Sequence, residues 1–110
     1  MLQLEPLNTQ RRVMHTQSGA SFEIRRLSPE AYQALRNQSM KGDHVDAVLF
    51  AKKAAVKVIA DWQNVAGECT EENKVRFGAA FAYNIVPWLV DEAMSLDQHI
   101  TEEEAAGKGS

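Results

Sequence analysis

The sequence predicts an α+β protein, mostly α: a short N-terminal β-hairpin followed by a compact bundle of about four helices. Three observations carry that prediction. The segment Ser21–Leu27 alternates apolar and polar residues behind a glycine-containing turn, as a half-buried strand does. From Val45 to Ile100 apolar residues recur at three- and four-residue spacing. Ser28, Asp43 and Thr70 each stand where a helix would begin. With 110 residues, the expected organisation is one small domain over about 1–100 and a flexible acidic tail over 101–110.

The hairpin is expected over about 13–27, with Gly19 supplying a positive φ between Val13–Thr16 and the return strand, where Phe22 and Ile24 share one face. Such a hairpin is marginal alone and must lean on helices or on another chain. Ser28 as N-cap, Pro29 at the first helical position and Glu30 near the positive dipole end then predict a short helix ending before Gly42. A longer helix is expected from Asp43 through about Trp62. Its inward stripe would be Val45, Val48, Leu49, Ala55, Val56, Ile59 and Trp62, and its solvated stripe Asp46, Lys53, Lys57 and Asp61. Lys52 falls among the apolar positions and Phe50 among the charges; a single exposed aromatic is common and carries little meaning, and a contact residue for a partner or a neighbouring subunit is the sharper alternative.

Thr70 followed by Glu71 and Glu72 predicts the next helix start. Pro87 divides the remaining apolar stripe into helices of about 71–84 and 87–99, because proline lacks a donor and disfavours helical geometry at Val86. Gly78, Ala79, Ala80 and Ala82 form a small-residue patch, flanked by Phe77, Phe81 and Trp88. Buried core is one fate for these rings; a groove for a partner helix is the other.

Signatures of chemistry are sparse. The sequence has no glycine-rich phosphate loop, no paired cysteines and no His-Glu-x-x-His helix. His15, His44 and His99 lie in separate elements, and Cys69 is the single cysteine, so catalytic residues, cofactor and metal are all expected to be none. A thiol at a helix N-terminus can be activated, but Glu68, Glu71 and Glu72 oppose that at Cys69. No apolar run approaches the roughly 20 residues of a membrane span, and the N-terminus does not read as a signal peptide. The expected location is a reducing cytoplasm.

The net charge of −3 weighs against general nucleic-acid binding, although Arg11, Arg12, Arg25 and Arg26 offer a local basic patch. Charge is also segregated. Nine basic against five acidic side chains through Lys57 give +4, and three against ten from Val58 onward give −7. Ordinary solvation accounts for such a split; head-to-tail stacking of copies is the functional alternative.

The segment from Val58 to Lys74 is the most distinctive. Asp61-Trp62-x-x-Val65, a loop containing Gly67, Cys69-Thr70-x-Glu72-Asn73 and the downstream Pro87 together resemble the tail assembly chaperones of long-tailed, siphovirus-like phages and prophages. The similarity covers about residues 45–100. The loop Ala66-Gly67-Glu68 is shorter than in many relatives, and Glu71 stands where proline is common. Asp61, Trp62, Thr70 and Asn73 read as a structural corner: a large ring anchored between elements and a capped helix start.

The resemblance implies a cytoplasmic, non-enzymatic protein. It would bind the tape measure protein, hold it soluble, yield to tail tube protein as the tube polymerises, and be absent from the mature virion. Phe50, Phe77, Phe81 and Trp88 are the candidate partner-binding residues, and a homo-oligomer is a further possibility. Two other classes remain open: a small virion structural protein of the tail or head–tail joint, and a small regulatory nucleic-acid-binding protein.

Overall fold

The structure, a computed structural model, describes the chain from Gln10 to Lys108, with side chains through Gln98. Strands β1 (Gln10–Met14) and β2 (Ser21–Arg25) form the expected hairpin. Gly19 turns it with φ +74°, and the His15 amide donates to Ala20 O at 2.8 Å. Helix α1 (Pro29–Gln38) starts as the sequence predicts, with Ser28 Oγ accepting from the Ala31 amide and Pro29 at the first position. The result is an α+β fold, mostly α, in which a three-stranded antiparallel sheet packs against helices.

The region expected as one helix from Asp43 to Trp62 divides into three pieces. Strands β3 (Met40–Lys41) and β4 (His44–Val45) make a small hairpin around a two-residue turn, with Gly42 at φ +68°. Helix α2 (Ala47–Val58) begins only at Asp46, whose carboxylate accepts from the Leu49 amide at 2.9 Å. Its buried face is Ala51, Ala54, Ala55 and Val58, rotated from the expected stripe; Val48, Leu49 and Val56 are half-buried.

Past Val58 the chain turns extended as β5 (Ile59–Gln63) and pairs with β2, giving the order β1-β2-β5. Ile59 and Trp62 lie three apart, which suits a helix and would place them on opposite faces of a regular strand. A bulge at Ala60, where Glu23 pairs Asp61 while Ile24 pairs Ile59, adds the residue that brings both to the inner face. Phe22 thereby lies between Val13 and Trp62 on one cross-strand row. The Arg25 guanidinium donates to Lys57 O at 3.4 Å and Ile59 O at 3.2 Å, occupying carbonyls at the end of α2.

Helix α3 (Glu71–Ala80) crosses α2 at Gly78, where an added Cβ would stand 2.6 Å from Ala51 O and 2.7 Å from Lys52 Cα. Only glycine permits that approach. The interruption after α3 falls at 81–84, ahead of the expected site at Pro87. Asn84 Oδ1 accepts from the Ile85 amide at 2.8 Å and opens α4 (Ile85–Lys108). Pro87 therefore sits in the first turn, where a missing N–H costs no helical bond. The helix predicted to end near 99 continues through Lys108, so residues 101–108, expected as part of a flexible tail, extend α4; Gly109 and Ser110 lie outside the described residues.

Phe22, Ile24, Leu27, Ile59 and Leu89 are almost entirely excluded from solvent. With Val86, Val90 and Ala93 of α4 they form the core between sheet and helices. Among the described residues no helix is long and apolar enough to cross a membrane.

Candidate functional site

Where the turn of the β1–β2 hairpin, the end of β5 and the outer side of α3 meet, the surface is concave. The groove has a volume of about 460 Å³ and an aromatic and aliphatic floor: Phe22, Trp62, Phe77, Phe81 and Ile85. Phe77 is the hub, with ring centroids 5.4 Å from Phe22, 5.5 Å from Trp62 and 4.8 Å from Phe81, all tilted. Ala80 leaves the mouth open, and Ser18, Asn64, Asn73 and Arg76 place polar groups around it.

The wall of this groove is the corner singled out in the sequence. Trp62 Nε1 donates to Gly67 O at 3.1 Å, so the indole fastens the loop that follows its own strand. Gly67 turns with φ +95°. The Asn73 amide donates to Thr70 Oγ1 at 3.2 Å, and Asn73 Nδ2 donates to Glu68 O at 2.9 Å. Across the mouth, Asn64 Nδ2 donates to Gly19 O at 3.2 Å, joining the corner to the hairpin turn. Trp62, Thr70 and Asn73 thus act together, as their spacing suggests. Asp61 does not join them: it is exposed on the other face of the sheet, opposite Glu23.

The four aromatic candidates separate. Phe77 and Phe81 line the groove, Phe77 almost wholly buried and Phe81 half-buried. Trp88, half-buried, packs outside it, its ring 5.4 Å from His15 and 6.4 Å from Phe22. Phe50, expected to be exposed, is half-buried in an edge contact with Tyr32 at 5.7 Å, because α1 folds across that face of α2. The small-residue patch divides as well: Gly78 and Ala82 are buried inside the molecule, while Ala79 and Ala80 face solvent. Tyr83, 78% exposed in the break between α3 and α4, is an aromatic that periodicity did not single out.

Several ionisable side chains are engaged in local tasks. Arg11 pairs with Glu92, Arg12 with Glu23 at 3.0 Å and Arg26 with Asp97 at 3.9 Å, while Arg25 serves backbone carbonyls. The basic patch considered from sequence is therefore largely neutralised. His15 Nδ1 lies 2.7 Å from Ser18 Oγ within the hairpin turn, and His44 sits beside Asp43 on the surface. Burial pushes the Cys69 thiol up, away from nucleophilic activation. Donation from the Leu49 amide, then from Lys41, holds the Asp46 carboxyl below its ordinary range. Among the described residues no group of three or more His, Cys, Asp or Glu side chains is arranged to hold a metal ion.

No protein-family model matches this chain, and no curated protein or solved structure is found to be similar to it.

Proposed function

We propose that this protein is a tail assembly chaperone of a long-tailed phage or prophage, binding apolar helical segments of the tape measure protein in the host cytoplasm. The aromatic groove beside the 61–73 corner carries the reading. Its accessible apolar lining, Val65, Ala66, Ala80 and Phe81 over the buried rings of Trp62 and Phe77, suits apolar side chains repeated at i, i+3 and i+4 along one helix. The polar residues at its mouth suit the solvated flank of the same helix. The corner that forms its wall is also the part of the chain that resembles this family.

The mechanism needs no turnover and no cofactor. Occupying exposed helices lowers the concentration of free, aggregation-prone partner by mass action. The bound state then yields as tail tube subunits compete for the same partner. Co-expression with the tape measure protein tests the reading directly. The soluble fraction of the partner is expected to rise, and Ala80→Arg, which fills the groove mouth from an exposed position, is expected to abolish the rise without lowering thermal stability. A partner equally soluble with and without this protein overturns the proposal. Recovery of the protein from purified particles would favour the virion-component reading instead.

A further inference from the structure

A second apolar groove lies between α1, the start of α2 and the start of α4, and it shares no lining residue with the aromatic groove. It consists of two adjoining hollows of about 350 and 290 Å³, whose common walls are Tyr32, Phe50, Ala82 and Pro87. The rings of Tyr32 and Phe50 are half-buried, edge to face at 5.7 Å, while Pro87 is exposed. Tyr83, the most exposed aromatic described above, borders the first hollow, and Met94 borders the second. The two ends differ in charge. Arg36 borders only the first hollow and Asp91 only the second, and among the described residues neither takes part in an ion pair.

Hydrogen bonding and spacing discriminate between ligands for such a surface. Among the described residues the hydroxyls of Tyr32 and Tyr83 make no hydrogen bond to the protein. Each can donate to a ligand carbonyl. An α-helical ligand uses its carbonyl oxygens within its own backbone. A polyproline II segment has no internal hydrogen bonds, so its carbonyls remain free to accept. Its pyrrolidine rings also pack against aromatic faces. The groove follows α4 from Pro87, common to both hollows, to Met94 at its far end, about 10 Å of helix. One turn of polyproline II, three residues, rises about 9 Å, so prolines three apart reach successive hollows.

We infer that this double hollow docks a proline-rich, extended segment of another protein, of the form Pro-x-x-Pro, with an acidic residue at the Arg36 end and a basic one at the Asp91 end. Tyr32, Phe50 and Pro87 hold the proline rings, and the two tyrosine hydroxyls donate to the segment's backbone. The unpaired charges at the ends set its direction. The aromatic groove beside the 61–73 corner stays open, so both surfaces can be occupied at once. The inference does not rest on the chaperone reading, because the two grooves have no residue in common.

Titration of the full-length protein with synthetic peptides, read by calorimetry and amide chemical-shift mapping, tests this. The probe is Asp-Pro-Pro-Leu-Pro-Pro-Lys with blocked ends. It is expected to bind saturably, with shifts centred on Tyr32, Tyr83 and the start of α4. Tyr83→Ala is expected to weaken binding about tenfold. Tyr83→Phe, which removes only the hydroxyl, is expected to weaken it about threefold. Tyr83 is exposed, so both variants are expected to keep the circular dichroism of the unaltered protein. Arg36→Glu is expected to invert the preference for this probe over a peptide with lysine at both ends, and that comparison decides if a Tyr83 variant loses structure. Ala80→Arg, which fills the other groove, is expected to leave the affinity unchanged, so this inference and the chaperone reading fail separately. Four results would each overturn the inference: no saturable binding up to millimolar peptide; equal binding of a helical leucine–alanine peptide with the same charged ends; shifts centred on residues 62–81; or unchanged affinity in either folded Tyr83 variant.

Discussion

The α2–α3 crossing and the 62–73 corner hold the same helix in place by opposite means. At the crossing, α3 lies on the alanine face of α2 because Gly78 has no side chain, and the contact is backbone against backbone. At the corner, the start of α3 is positioned by side chains that reach backbone groups: Trp62 to Gly67, Asn73 to Glu68 and Thr70 to Asn73. The first arrangement is steric and tolerates no added atom. The second is a set of individually modest hydrogen bonds, several of them near solvent, each worth about 1 kcal/mol. One end of α3 is therefore rigidly docked, while the other depends on a group of replaceable contacts beside the groove.

Breaking the crossing is expected to have the largest effect. Gly78→Ala improves intrinsic helix propensity by about 1 kcal/mol. The inserted Cβ, however, meets Ala51 O at 2.6 Å, and neither backbone can give way without moving its helix. A net loss on the order of 3 kcal/mol is expected, read as a lower urea midpoint at unchanged slope. Ala79→Gly next to it, on the exposed side, should cost only about 1 kcal/mol. Equal stability of Gly78→Ala and the unaltered protein would refute the close crossing.

The corner is next. Trp62→Phe keeps an aromatic ring but removes the indole N–H that fastens Gly67, and it leaves part of the Trp62 volume empty. A loss of about 2 kcal/mol is expected, together with faster amide exchange at residues 64–69. Protection of that loop equal to that in the unaltered protein would show that the indole does not hold it. Thr70→Ala is expected to cost about 1 kcal/mol and Thr70→Ser much less, because serine restores the oxygen that caps the Asn73 amide. Equal losses in the two variants would argue against capping.

The smallest effect tests the cap of α2 for comparison. Asp46 has a depressed carboxyl pKa because the Leu49 amide, and then Lys41, stabilise its charged form. A carboxylate whose folded pKa lies below its unfolded value contributes stability above the unfolded value, near pH 4. That contribution is lost as pH falls through the lower folded value. Asp46→Asn keeps an oxygen acceptor but does not titrate. It is expected to be slightly less stable at pH 7, with the difference closing below about pH 4. A difference that stays constant across that range would assign the effect to hydrogen bonding alone.

Local chemistry was legible wherever it is settled by neighbours in sequence. Ser28, Pro29 and Glu30 start α1, Thr70 starts α3, and Gly19 turns the hairpin, because each satisfies orphan backbone groups or a positive φ within a few residues. The corner was legible for the same reason, apart from Asp61. The strand β5 was not. Ile59 and Trp62 fit a helical period, and only the open edge of β2, together with the bulge at Ala60, makes the extended form bury both.

The groove shows the same division. Phe77 and Phe81 stand out as a flank on α3, but their union with Phe22, Trp62 and Ile85 depends on three elements far apart in sequence. Phe50 and Trp88 were drawn into other contacts, with Tyr32 and with His15, by the way α1 and the hairpin close over them. The sequence by itself determined the fold class, the caps of α1 and α3 and the Trp62, Thr70 and Asn73 part of the corner, since periodicity and capping are local free energies. Tertiary structure decided where α2 ends, which aromatics share a surface, and which arginines meet carboxylates. Those outcomes depend on strand pairing and packing between distant residues, and no window of the chain contains them.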